Sequence, residues 1–271
     1  MGANNLVNLS ILHPKLFSAI IIIDPAISPT YNARLIFPAR LSVKRRTNWP
    51  SRSEAAAGFK RSKFYQSWDP RVLDLWTQYG IRQISEDSEK VELATPRDQE
   101  ILAFLRVDQL GIEKRVQSVE DQNELEATEL YDFFDRREIY ETFHRLSKLE
   151  PSALFIHGGL SAVSPPDVRR GRIQQTLLGR TVVVNKPLRS VDNVLFDDIG
   201  HLIPMEIPRR TAEAIAEWLP NELREVQRLE DEDMKAWAGL PKEARSKLSY
   251  KSAAVLGAGQ MPQRDYAKGK L

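Results

Sequence analysis

Met1-Gly2, Asp24 and His201 are the residues of this 271-residue chain whose types and order suit acyl-transfer chemistry. A Gly-x-Ser-x-Gly segment forms a tight strand-to-helix turn that presents a serine, and the backbone N–H of the following residue holds the developing oxyanion. Met1-Gly2 reads as the last two positions of such a turn, because the helix-compatible run Ala3-Asn4-Asn5-Leu6-Val7 follows. The Met1 N–H is then the candidate oxyanion donor, and the nucleophile belongs one residue before Met1. Serine also needs a base to take its proton and a carboxylate to orient that base, in the order serine, acid, histidine.

His201 is the candidate base. It follows Gly200 between a late strand and a terminal amphipathic helix, in a loop from which an imidazole can reach the turn. His13 and His144 read as surface or helix-end residues. His157 ends a strand on the same edge and is a secondary candidate for lining the pocket. For the acid, the loop Gly158-Gly159-Leu160-Ser161-Ala162-Val163-Ser164 offers no aspartate, and Asp167 after Pro165-Pro166 reads as a helix N-terminal cap. Asp24 remains, directly after Ile20-Ile21-Ile22-Ile23. A carboxylate closing a buried strand needs a partner, since leaving it unpaired is costly, and His201 is the partner expected. A turn-forming Asp before Pro25 is the alternative.

Composition removes several other chemistries. No cysteine is present, so disulfides, thiolate catalysis and thiolate metal sites are excluded together. No His and carboxylate cluster of metal-site spacing appears, and neither metal nor cofactor is expected. Opposing counts of 39 Lys+Arg and 37 Asp+Glu leave a net charge of +2, too mild to imply a nucleic-acid partner. The apolar run Leu16 to Ile23 is far shorter than the roughly 20 residues of a membrane span. The first residues lack the basic start of a secretory signal. The last three, Gly269-Lys270-Leu271, are similar to the Ser-Lys-Leu terminus read by the peroxisomal import receptor, behind a tail whose Gly257, Gly259 and Pro262 suit its presentation.

Positioning these groups requires an α/β architecture. A helix over residues 3 to 13, closed by His13-Pro14, leads into the strand ending at Ile23, and continuous apolar strands of this kind belong to a parallel sheet covered on both faces. Residues 1–25 are thus an elbow remnant, helix and core strand. Residues 26–150 read as a helical lid insertion, with a capping box from Ser51 to Glu54 and a helix start at Asp69-Pro70. The core resumes over 151–220, with strands at 153–157, 180–184 and 194–199 and a last helix from Pro208 to Trp218. Residues 221–271 read as a charged helical tail ending in the targeting terminus.

Asn48-Trp49-Pro50-Ser51-Arg52, Trp68-Asp69-Pro70-Arg71, Gly200-His201-Leu202-Ile203-Pro204, the segment Met1 to Pro25 and the ending Gly269-Lys270-Leu271 together resemble fungal α/β-hydrolases of secondary metabolism. The similar proteins are the peroxisomal acyl-CoA hydrolase of mycophenolic acid biosynthesis and the hydrolases of host-selective toxin clusters. The resemblance implies an α/β-hydrolase fold, hydrolysis of an acyl-CoA thioester or ester in the peroxisome, Asp24 as the acid and His201 as the base. It also implies early strands, a first oxyanion donor and a serine ahead of Met1, so the sequence is expected to be an incomplete reading of its gene, started at an internal Met, or a degenerate copy, inactive as written. A non-catalytic remnant and an epoxide-hydrolase-type enzyme with Asp in the elbow stay open as alternatives.

Overall fold

The computed structural model describes residues 2–30, 37–104, 136, 138–180, 190–248 and 255–256. Helix α1 (Gly2–Leu12) ends where His13 precedes Pro14, and it buries Asn4, Val7 and Ser10. Its polar buried atoms are answered locally: Asn4 Nδ2 donates to the Ala26 carbonyl at 3.2 Å and Ser10 Oγ to that of Leu6 at 2.8 Å. Strand β1 (Ala19–Ile23) begins three residues later than the apolar run that predicts it.

A three-stranded parallel sheet carries the core. Its order is β1, then the strand Ser152–Gly158, then the strand Val191–Phe196, each pair parallel. The middle strand is buried at every residue, which is why Ala153-Leu154-Phe155-Ile156 is continuously apolar. Its side chains divide between two cores. Ile20, Ile22, Ala153 and Phe155 pack with Val7, Phe143 and Leu146 on one face. Leu154 and Ile156 pack with Phe196, Ile199 and Ile203 on the other, where Ile21, Ile23, Ile215 and Trp218 close the layer.

Between β1 and the middle strand the chain is less uniformly helical than its sequence predicts. Helix α2 (Phe37–Val43) is followed by β2 (Asn48–Trp49), α3 (Arg52–Arg61), α4 (Lys63–Gln66), α5 (Pro70–Tyr79), β3 (Ile81–Gln83), β4 (Val91–Leu93) and α6 (Arg97–Phe104). The three strands form a separate antiparallel sheet in the order β2-β4-β3. Strands of two and three residues carry too little periodicity to be read beforehand. Trp49, Phe59, Tyr65, Leu73, Ile81 and Val91 give this region its own core. Both predicted helix starts are capped: Ser51 Oγ accepts the Glu54 N–H at 3.2 Å, and Asp69 Oδ1 the Arg71 N–H at 2.9 Å. Residues 105–135 of the expected lid lie outside the described residues.

Helix α7 (Glu138–Arg145) and a 3-10 turn lead into β5, the middle strand (Ser152–Gly158). Helix α8 (Pro166–Arg180) then crosses back to β6 (Val191–Phe196). Arg180, expected to open a strand, instead closes α8, and residues 181–184 lie outside the described residues. After the short α9 (Ile203–Glu206), α10 runs unbroken from Pro208 to Ala238, so the predicted core helix and charged tail are one helix that passes through Pro220. Contacts group residues 1–218 and 219–271 as two compact units. In the first unit α10 anchors its start through Trp218 Nε1, which donates to Asp192 Oδ2 at 2.7 Å. In the second, Arg228 forms exposed ion pairs with Glu225 and Glu232, and the short α11 (Lys242–Arg245) follows.

Candidate active site

Asp24 ends β1 in a conformation that turns the chain out of the sheet. Its N–H still donates to the Ile156 carbonyl at 2.7 Å, continuing the ladder, while its φ of 39° lies in the left-handed region. Among the described residues it is the only non-glycine there. Such a backbone costs on the order of 1 kcal/mol, and Asp tolerates it better than most side chains. The carboxylate that results is 1% exposed.

That buried charge is met by converging donors. His201 Nδ1 lies 2.6 Å from Asp24 Oδ2, Ser161 Oγ donates to the same oxygen at 2.5 Å, and the Gly158 N–H approaches Oδ1 at 3.5 Å. Burial pushes the Asp24 carboxyl upward, but hydrogen bonds from His201, Ser161 and Ser164, with the charge of His201, outweigh it and hold the group below its usual value. An ionised carboxylate accepts only, so the His201 proton sits on Nδ1. In the neutral ring, Nε2 then carries the lone pair, on a side chain 49% exposed. This is the tautomer a general base requires.

Two glycines allow the approach. A Cβ on Gly158 would lie 2.1 Å from the Gly200 carbonyl oxygen, and one on Gly159 2.4 Å from that of Asp197. With only hydrogens there, the end of β5 and the loop after β6 close on each other through Gly159 N–H to Phe196 O at 2.7 Å and Leu160 N–H to Ile199 O at 3.0 Å. His201 is thereby brought from 177 positions away in sequence to the end of β1.

The other predicted residues divide clearly. His157 lines no solvent-open pocket: it is fully buried, its Nδ1 is 2.7 Å from Asn193 Oδ1, and its ring stacks on Phe155 with centroids 5.9 Å apart. Burial pushes its imidazole down to about 4. A strand-terminal position does not distinguish inward from outward side chains when every neighbour is buried. His13 and His144 are exposed, and Asp167 lies in the first turn of α8. Met1 and Gly269-Lys270-Leu271 lie outside the described residues. Ser161, Ser164 and Arg172, which sequence reading passes over, all stand around Asp24, with Ser164 and Arg172 fully buried. The signal available beforehand was the number of donors a buried carboxylate needs, more than one imidazole can supply.

No protein-family model matches the sequence. Among individual proteins, an abhydrolase domain-containing protein of Alternaria alternata is 31% identical over 229 residues, covering 81% of this chain and 80% of the relative. The chain belongs to the α/β-hydrolase family. A second relative within it, the type I acyl-CoA thioesterase mpaH of Penicillium brevicompactum, is 25% identical over 299 residues, covering 100% of this chain and 68% of its own. Among solved structures, a peroxisomal α/β-hydrolase of Saccharomyces cerevisiae superposes with a TM-score of 0.55 at 14% identity over 94% of this chain. The chain spans 57% of that structure's length, and the likeness is one of α/β-hydrolase fold. No helix among the described residues is long and apolar enough to cross a membrane.

Proposed function

We propose that this chain carries the acid and base of a serine α/β-hydrolase that cleaves an acyl-CoA thioester, or a related ester, in fungal secondary metabolism. The 2.6 Å contact between His201 Nδ1 and Asp24 Oδ2, which leaves Nε2 free, carries the reading. The nucleophile belongs at the position directly before Met1. Its hydroxyl attacks the thioester carbonyl as its proton passes to His201 Nε2, and the Met1 N–H holds the oxyanion. Collapse breaks the carbon–sulfur bond, and the leaving thiolate takes the proton from His201. Water then releases the acid by the same route reversed. Asp24 stays ionised throughout and stabilises the imidazolium. The relatedness to a protein named as an acyl-CoA thioesterase supports the substrate class.

The coding sequence upstream of Met1 tests the nucleophile. An in-frame Gly-x-Ser supports the serine hydrolase, Gly-x-Asp replaces it with epoxide-type chemistry, and a stop codon leaves a non-catalytic remnant. In protein extended to include Gly-x-Ser, acyl-CoA hydrolysis that survives Asp24→Asn or His201→Ala refutes the assignment. Peroxisomal import is the proposed destination, carried by Gly269-Lys270-Leu271. A reporter bearing the last residues of the chain should enter peroxisomes and lose that import when Leu271 is removed.

A further inference from the structure

The segment Gly158–Ser161, the end of β5 and the turn after it, touches both members of the Asp24–His201 pair. Its two ends grip the acid: the Gly158 N–H approaches Asp24 Oδ1 at 3.5 Å, and Ser161 Oγ donates to Asp24 Oδ2 at 2.5 Å. Its two middle residues hold the segment that carries the base. The Gly159 N–H donates to the Phe196 carbonyl at 2.7 Å and the Leu160 N–H to the Ile199 carbonyl at 3.0 Å, just ahead of His201. The Ser161 N–H donates to the Gly158 carbonyl at 3.3 Å and closes the turn on itself. Acid and base segments are thus fixed against one short stretch of chain, in which Ser161 acts through its side chain.

Ser161 and His201 meet at one atom. Both lie on Oδ2, at 2.5 and 2.6 Å, so the hydroxyl sets which carboxylate oxygen faces the imidazole. The two donors differ in freedom: Ser161 is 5% exposed, whereas the His201 side chain is 49% exposed. A half-exposed ring on a loop cannot hold a buried carboxylate still, but a buried hydroxyl on a closed turn can. Without that hydroxyl a lone pair of Oδ2 is left buried and unanswered, and the carboxylate gains by rotating about its Cβ–Cγ bond toward other donors. Competition between two donors for one oxygen works the other way, since losing the hydroxyl would strengthen the bond that remains. Positioning outweighs it here because Oδ1 meets the Gly158 N–H at 3.5 Å, too long to keep the carboxylate from turning. We infer that Ser161 is a positioning residue for the Asp24–His201 pair, its hydroxyl locking Oδ2 toward His201 Nδ1 so that the ring keeps its proton on Nδ1 and its lone pair on Nε2. This rests on the reading of Asp24 and His201 as the orienting acid and the base.

Nitrogen NMR of the histidine rings in the full 271-residue chain reads the His201 tautomer, at about pH 9, above the range in which imidazoles titrate. The parent should hold the Nδ1-protonated ring in excess, and Asp24→Asn should lose that excess. A parent ring protonated on Nε2 would overturn the pair itself rather than the role of Ser161. In Ser161→Ala the ratio of Nδ1–H to Nε2–H rings should fall about tenfold, with faster exchange of the Nδ1 proton. Loss of stability alone does not move this ratio, because the spectrum reads the ring in folded molecules. Should Ser161→Ala fail to fold, Ser161→Cys decides in its place: its thiol is a weak donor, and the ratio should fall between those of the parent and Asp24→Asn. A ratio unchanged in whichever variant folds, or raised as competition for Oδ2 requires, overturns the inference.

Discussion

Acid should destabilise this protein well above the range in which carboxylates titrate, because of His157. The ring is fully buried and stacked on Phe155, and burial lowers its imidazole from 6.5 to about 4, with nearby Arg172 and Arg169 acting in the same direction against Asn193 and Asp24. In the unfolded chain the same group titrates near its ordinary value. Between those two values the unfolded state binds a proton that the folded state refuses. Stability therefore rises with pH across this window and is lost as pH falls through it. The span from 6.5 to about 4 corresponds to roughly 3 kcal/mol, at a slope approaching about 1.4 kcal/mol per pH unit in the middle of the window. Against a typical total of about 5–15 kcal/mol, that is a large share.

Urea denaturation at a series of pH values from neutral to about 4 measures it directly. His157→Gln is the control, since an amide can still meet Asn193 but carries no proton equilibrium. The parent should lose roughly 3 kcal/mol across the window beyond what the variant loses. Equal pH dependence in the two proteins would refute the account, because His13 and His144 are exposed and remain in both. Asp24 enters at lower pH with a separable signature. Its folded value is depressed, so its contribution is complete above about 3.8 and fades only as pH falls below that.

Ser161→Ala removes one donor from Asp24, and should cost about 1.5–3 kcal/mol at neutral pH and progressively less as acid protonates the depressed carboxyl; a loss that stays equal at every pH, by urea melts, would show the serine to be only a packing group. Gly158→Ala should destabilise by at least about 2 kcal/mol, because its Cβ would meet the Gly200 carbonyl at 2.1 Å and backbone cannot rotate aside; a thermal midpoint within error of the parent would contradict the close approach of the two loops. In catalytically complete protein, Asp24→Asn should reduce kcat about ten-thousandfold with little change in KM, since the wrong imidazole tautomer is then favoured. A fall in kcat/KM carried by KM alone would assign Asp24 to binding.

What could be read from the sequence is what depends on short stretches of chain. The run Ile20 to Ile23 announces a buried parallel strand by composition alone, and Asp24 directly after it is conspicuous because a carboxylate there must be answered. His201 is legible for a similar reason, as a histidine after glycine at the mouth of a late strand. What stayed hidden depends on residues far apart. Arg172 and Ser164 are ordinary helix and loop residues until α8 folds back onto the strap after β1, a contact spanning 145 positions between Arg172 and Ile27. Pro220 reads as a helix stop because it leaves the Ala216 carbonyl without its usual donor, yet α10 continues past it.

The loop after β5 shows how the missing aspartate and the hidden serine are one fact. It carries no acid, and its residues Gly158 and Ser161 bring donors toward Asp24. A second carboxylate at 161 would stand beside the first in a pocket that is 1% exposed at Asp24, and two like charges so placed cannot both ionise. Once the acid is placed at the end of β1, the neighbouring loop must therefore be neutral and hydroxyl-bearing. Ser161 fulfils that requirement, its hydroxyl donating to Asp24 Oδ2 at 2.5 Å.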